Sequence, residues 1–208
     1  MPSQSLFEFK IFLYLVIVFS AVLHEYFHGW TAYYLGDTTA KDARRLTLNP
    51  LKHMDPLGTF LIPLALLFYF GGFIGWAKPV PYNPNNLRDQ KFGSTKVAFA
   101  GPAANFFIAL LFGLILRFIP LEGLFYVTLT WVVYINIFLG LFNLIPIPPL
   151  DGSKLIMDLF PRSFFIQIMG NSIFGMILAF FMAITFLPYI AGLAYFLITG
   201  QFFLGLVF

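Results

Sequence analysis

Ile17-Val18-Phe19-Ser20-Ala21-Val22-Leu23-His24-Glu25-Tyr26-Phe27-His28 decides the fold. The apolar run that leads into it starts at Ile11 and Phe12, so an H-E-x-x-H motif lies deep inside a hydrophobic helix. At a spacing of four residues, His24 and His28 leave one face of a helix and can share a metal ion. Glu25 stands beside the first histidine, where a carboxylate can act as general base on a water held by that metal. Ionisable groups inside a membrane helix are costly unless they pair or bind something. The position of the motif therefore argues for a metal site more strongly than the motif alone.

Composition sets the frame. The chain of 208 residues is 60% apolar and 10% charged, which specifies an integral membrane protein and leaves no soluble domain of ordinary size. We expect one all-α polytopic domain over 1–208, with a catalytic core at about 7–160 and a C-terminal helical pair at about 163–208. The absence of cysteine excludes thiolate ligands, disulfides and cysteine nucleophiles, so a metal must be held by His, Asp or Glu. Met1-Pro2-Ser3-Gln4-Ser5 lacks the basic start of a signal peptide, and the apolar segment behind it outruns signal length; we expect it to be retained. The net charge of +3 reads through membrane topology and implies no nucleic-acid partner.

About five transmembrane helices are expected. The first runs from about Phe7 to Leu35 with Gly36 as its stop, and two more cover Lys96 to Phe118 and Leu124 to Phe142. The last two, 167–187 and 189–207, meet near Pro188. Between the first two, Pro56 to Trp76 is apolar and Ala77-Lys78-Pro79-Val80-Pro81-Tyr82-Asn83-Pro84 is held extended by its prolines. If Pro56 to Trp76 crossed fully, the cations would divide five against seven between the two sides. A re-entrant helix and extended return at about 56–84 divides them ten against two, with only Lys10 and Arg117 on the far side. The positive-inside rule prefers the hairpin, with the N-terminus outside and the active site toward the cytoplasm. Irregular backbone at membrane depth must border protein or water, so the hairpin should line a polar cavity.

A catalytic zinc needs a third protein ligand and an open position. Asp151 follows the proline-broken end of the helix closing at Phe142, and the hairpin topology brings it to the depth of His24 and His28. A bare turn at Asp151-Gly152 is the alternative use of that pair. Asn143 can satisfy carbonyls freed by the prolines, or donate to a substrate carbonyl or oxyanion. Asn105, beside Gly101, Ala103 and Ala104, reads as a helix-packing or loop-anchoring group and as a second candidate for substrate contact. His53, in a loop, reads as an interfacial histidine rather than a ligand.

These residues carry a resemblance. His24-Glu25-Tyr26-Phe27-His28 with Asn143-Leu144-Ile145-Pro146-Ile147-Pro148-Pro149-Leu150-Asp151-Gly152 resembles the paired signature of the site-2 protease family of intramembrane zinc metalloproteases. Gly101-Pro102-Ala103-Ala104-Asn105 is similar to the family's G-P-x-x-N element, and Gly75-Trp76-Ala77-Lys78-Pro79-Val80-Pro81 to the segment where relatives place a re-entrant strand. The resemblance covers roughly residues 10 to 160. It implies one zinc per chain and cleavage of transmembrane protein substrates within the lipid bilayer, and it leaves the oligomeric state unspecified. Small size and the missing PDZ and nucleotide-sensing domains point to a prokaryotic plasma membrane. The stretch from Trp76 to Asn83 is then expected to pair with substrate as an added strand. A metal-ion transporter or channel, or an inactive metal-binding scaffold, is the alternative, because intramembrane His and Asp also mark ion pathways.

Overall fold

The computed structural model describes residues 3–63, 65, 77–160 and 173–203, and every regular element among them is helical. Helix α1, Ser3–Tyr34, displays Phe7, Ile11, Leu15 and Phe19 at four-residue spacing on its exposed side. That stripe is where lipid is expected, and Val18, Val22, His24, His28 and Ala32 turn inward. Gly36 ends the helix at φ 108°, a left-handed conformation that a Cβ would strain. The Asp37 N–H closes the end on Ala32 O at 2.9 Å.

The short helix α2, Thr39–Asp42, follows, and then a turn at Pro50–Lys52. A helical turn at Pro56–Leu61 is capped by Asp55, whose carboxylate accepts from the Leu57 and Gly58 N–H groups. The chain has no regular secondary structure at 77–83, is extended at Asn83 and turns at Pro84–Asn86. Entry and return touch, because the Lys78 N–H donates to His53 O at 2.9 Å. The expected tip of the 56–84 hairpin, at 64 and 66–76, lies outside the described residues.

Helix α3, Gly93–Phe118, is central and packs against α1 and against the later helices at Gly123–Asn143, Gly152–Leu159 and Leu187–Thr199. Its buried stripe is Gly93, Val97, Gly101, Asn105, Ala109 and Gly113, a run of mostly small residues every four positions. Without a hydrophobic force between helices in lipid, such a stripe gains stability by letting backbones approach closely. Helix α4, Gly123–Asn143, buries Thr130, Val133, Asn136, Ile137 and Gly140. Helix α5, Gly152–Leu159, is tied back to the start of α3: the Thr95 N–H and hydroxyl donate to Asp158 at 3.0 and 2.6 Å.

The C-terminal pair breaks at Phe186, beside Pro188. Helices α6, Ile173–Thr185, and α7, Leu187–Thr199, have 13 residues each and bend by 49° at their junction. At about 1.5 Å per residue α7 is roughly 20 Å long, short of the roughly 30 Å hydrocarbon core, while α6 begins at the edge of the described residues. The described residues hold three spans, or four if the bent pair is one broken span, where about five were expected. The start of the expected 167–187 helix and the end of the 189–207 helix lie outside the described residues. Helix α7 closes the bundle through Ala191 and Tyr195, which pack with Ala109, Leu116, Val133 and Ile137. Arg117 at the end of α3 donates to the terminal carbonyls of α7, Leu197 O and Ile198 O.

Candidate metal centre

Three polar atoms converge where α1, α3 and the α4–α5 connection meet. His24 Nε2 and His28 Nε2 are 2.9 Å apart, and Asp151 Oδ2 lies 3.0 Å from the first and 3.2 Å from the second. Ligands around a tetrahedral zinc at about 2.0–2.1 Å are about 3.3 Å from one another, so the triangle is within a few tenths of an ångström of a metal-ligand face. Both histidines are buried, at 7% and 9% exposure. Glu25 also lies near, within 4.8 Å of both imidazoles, but Asp151 is the closer carboxylate.

The protons can be placed by following the acceptors. Val97 O can only accept, so His28 Nδ1, 2.7 Å from it, carries its proton and leaves Nε2 as a lone pair. His24 Nδ1 lies 2.7 Å from the Asn105 side-chain oxygen and donates to it. With both rings neutral, two imidazole lone pairs and a carboxylate oxygen thus face each other. Such acceptors repel unless a cation sits among them. The donor set fits a metal ion.

Packing makes room for that ion. A Cβ built on Gly101 would sit 2.5 Å from His28 Nε2 and 2.6 Å from His24 Nε2. Helix α3 therefore passes the donor face at the one residue type that leaves it open. Asp151 is aimed by its surroundings: Gly152 lies against the Leu144 and Ile145 carbonyls, Ser153 Oγ donates to Leu150 O at 2.6 Å, and Asp158 anchors α5.

The remaining site residues fall around a cavity of about 360 Å³ lined by His24, Glu25, His53, Pro79, Asn143 and Asp151, among others. Glu25 Oε2 accepts the Val80 N–H at 2.8 Å, which holds the carboxylate against the segment at 77–83. Asn143 donates one amide hydrogen to Leu139 O at 3.0 Å. Asn105 lines the same cavity, with its oxygen facing His24 and its nitrogen donating to Asn136 at 3.0 Å. His53 is buried at 1% exposure, and its Nε2 lies 2.7 Å from Thr47 O.

The segment at 77–83 is more constrained than a free strand edge. The Lys78 N–H goes to His53 O, the Val80 N–H goes to Glu25, and Pro79 and Pro81 have none. The far end of the segment is fixed by Asp37, which is fully buried and accepts from the Thr39 hydroxyl, the Asn83 N–H and the Asn86 amide at 2.6, 2.7 and 2.9 Å. Burial alone would raise the Asp37 pKa; the donors from Thr39, Asn83 and Asn86 outweigh it and hold the group below the usual carboxylate range.

Asn136 and Asp37 were passed over in the sequence. Asn136 had a readable signal, a lone amide in the middle of an apolar span. Asp37 had none, since an acidic residue after a helix end is ordinary.

Residues 119–188 match the model of Peptidase family M50. The chain is 38% identical over 160 residues to YwhC of Bacillus subtilis (strain 168), covering 72% of this chain and 69% of that protein. It is 35% identical over 136 residues to Rip2 of Mycolicibacterium smegmatis, covering 64% of this chain and 51% of that protein. Both relatives are described by name as candidate zinc metalloproteases. No solved structure gives a significant match. The similarity to YwhC runs through more than two thirds of both chains, and the chain belongs to peptidase family M50, the site-2 protease family of metalloproteases.

Proposed function

We propose that the chain is an intramembrane zinc metalloprotease that hydrolyses peptide bonds in or near transmembrane segments of membrane-protein substrates. The observation that carries this reading is the triangle of His24 Nε2, His28 Nε2 and Asp151 Oδ2, at 2.9, 3.0 and 3.2 Å, with its lone pairs turned inward. Those three residues are the metal ligands. Zinc, the metal in the names of the relatives, supplies a Lewis acid that activates water at neutral pH and polarises a carbonyl.

The chain's own groups do the rest. Glu25 takes the proton from the attacking water on its carboxylate and returns it to the leaving amine nitrogen. The Val80 N–H holds that carboxylate in the cavity until substrate arrives. Asn143 keeps one amide hydrogen for the substrate carbonyl oxygen as negative charge develops there. A peptide bond in an intact helix is shielded by its own hydrogen bonds, so the substrate must unwind to enter. The segment at 77–83 receives it as a strand once the Val80 N–H is released.

The meeting of His53 O and the Lys78 N–H supports a re-entrant path for 56–84. With the charge distribution, it supports an N-terminus outside and an active site opening toward the cytoplasm. Purified protein tests the reading. Wild type and Glu25→Gln should hold equal zinc, while Glu25→Gln should cut a panel of transmembrane peptides roughly 100- to 10,000-fold more slowly. Equal cleavage by the two, or none by either, contradicts it.

A further inference from the structure

A chain of side-chain amides runs from α4 through α3 to the metal face on α1, and its direction is forced from the far end. Val132 O can only accept, so Asn136 turns its amide nitrogen to it, at 2.9 Å. That leaves the Asn136 oxygen to accept from the Asn105 nitrogen, at 3.0 Å. The Asn105 oxygen is then the only atom it can present to His24 Nδ1, at 2.7 Å, and the ring must donate there. Both asparagines are 0% exposed, so water does not compete for these bonds.

We propose that Asn136 is a positioning residue for the metal centre: acting through Asn105, it fixes the proton of His24 on Nδ1 and keeps Nε2 free for the ion. The proposal rests on the reading of His24 as a ligand. Which ring nitrogen of a histidine is open to a metal is set by the bond the other one makes. His28 obtains this from a backbone carbonyl, which cannot turn over. His24 obtains it from an amide, which can. A flipped Asn105 would present N–H to Nδ1 and move the proton to Nε2, where it blocks the ion. Asn136 removes that alternative, because a flipped Asn105 would set two oxygens against each other.

Zinc affinity of the full chain, measured by chelator competition, tests this. Asn136→Leu should raise the zinc Kd roughly 10- to 100-fold. Adding Asn105→Asp to Asn136→Leu should bring the Kd back to within about threefold of wild type, since a carboxylate accepts from Nδ1–H whichever way it turns. A residue that only packs would not be rescued this way. If Asn136→Leu does not fold, Asn105→Leu/Asn136→Leu, which leaves neither buried amide unpaired, replaces it. It should bind zinc at least about tenfold more weakly than Asn105→Asp/Asn136→Leu. A second readout is the His24 Nδ1–H signal in the zinc-loaded chain, which should be protected from exchange in wild type and lose protection in Asn136→Leu. An unchanged Kd, an unrescued loss or equal protection overturns the relay. A His24→Ala variant that binds zinc like wild type overturns the ligand reading instead, which separates the two failures.

Discussion

Two halves of α3 solve one packing problem for different neighbours. In the inner half Gly101 admits the two imidazoles; in the outer half Gly113 admits the Ile198 side chain of α7. Around Gly101 the contacts are directional, with His28 on Val97 O, His24 on Asn105 and Asn105 on Asn136. Around Gly113 they are apolar, through Ala109, Leu116, Ala191 and Tyr195. Close packing therefore dominates around Gly113, and hydrogen bonds decide which atoms face the site around Gly101. The outer half can lose fit and remain a membrane bundle, whereas the inner half loses its chemistry.

The sharpest way to break this contrast is Gly101→Ala against Gly113→Ala. Gly101→Ala puts a methyl group on the donor face, so zinc content should fall below about a tenth of wild type, by metal analysis of purified protein. Gly113→Ala meets a branch of Ile198, and should cost about 1–3 kcal/mol of stability while zinc stays at one per chain. Equal zinc loss in both would remove the distinction.

A smaller effect is expected where a loop, rather than a helix, aims a ligand. Asp158→Asn weakens the tether from α5 to Thr95 and should cost about 1–2 kcal/mol of stability. Cleavage should fall about tenfold with zinc retained, because Asp151 shifts while the histidines stay braced. An unchanged rate would mean that α5 does not position Asp151.

The least effect on the metal, with a distinct pH signature, is expected at Asp37. Its folded pKa is depressed, so its stabilisation is complete above the unfolded value near 3.8 and disappears as pH falls through the folded value. Asp37→Asn should be less stable than wild type by about 1–3 kcal/mol at pH 7, and the gap should narrow below about pH 4. A gap that does not change with pH would show that the charge is not what the donors hold.

Much of the inner half was legible in the sequence and little of its wiring. His24, Glu25, His28 and Asp151 could be named because intramembrane ionisable groups are rare and metal-ligand spacing is strict. The long helices were legible from apolar runs bounded by Gly36 and the prolines. The Val80 N–H that holds Glu25 is a backbone group, and no residue pattern announces a backbone group. The part Asn105 plays follows from Asn136, one turn beyond Val132 on another helix, a relation set only when α3 and α4 pack. The junction of the two C-terminal helices near Pro188 was legible from the proline, but an apolar composition does not reveal a 49° bend.

Zinc-edge X-ray absorption on the purified chain tests the central claim most directly. The account predicts two imidazole nitrogens and carboxylate oxygen at about 2.0–2.2 Å in wild type, with the carboxylate contribution lost in Asp151→Ala. A spectrum that fits a single imidazole, or one that Asp151→Ala leaves unchanged, would contradict it.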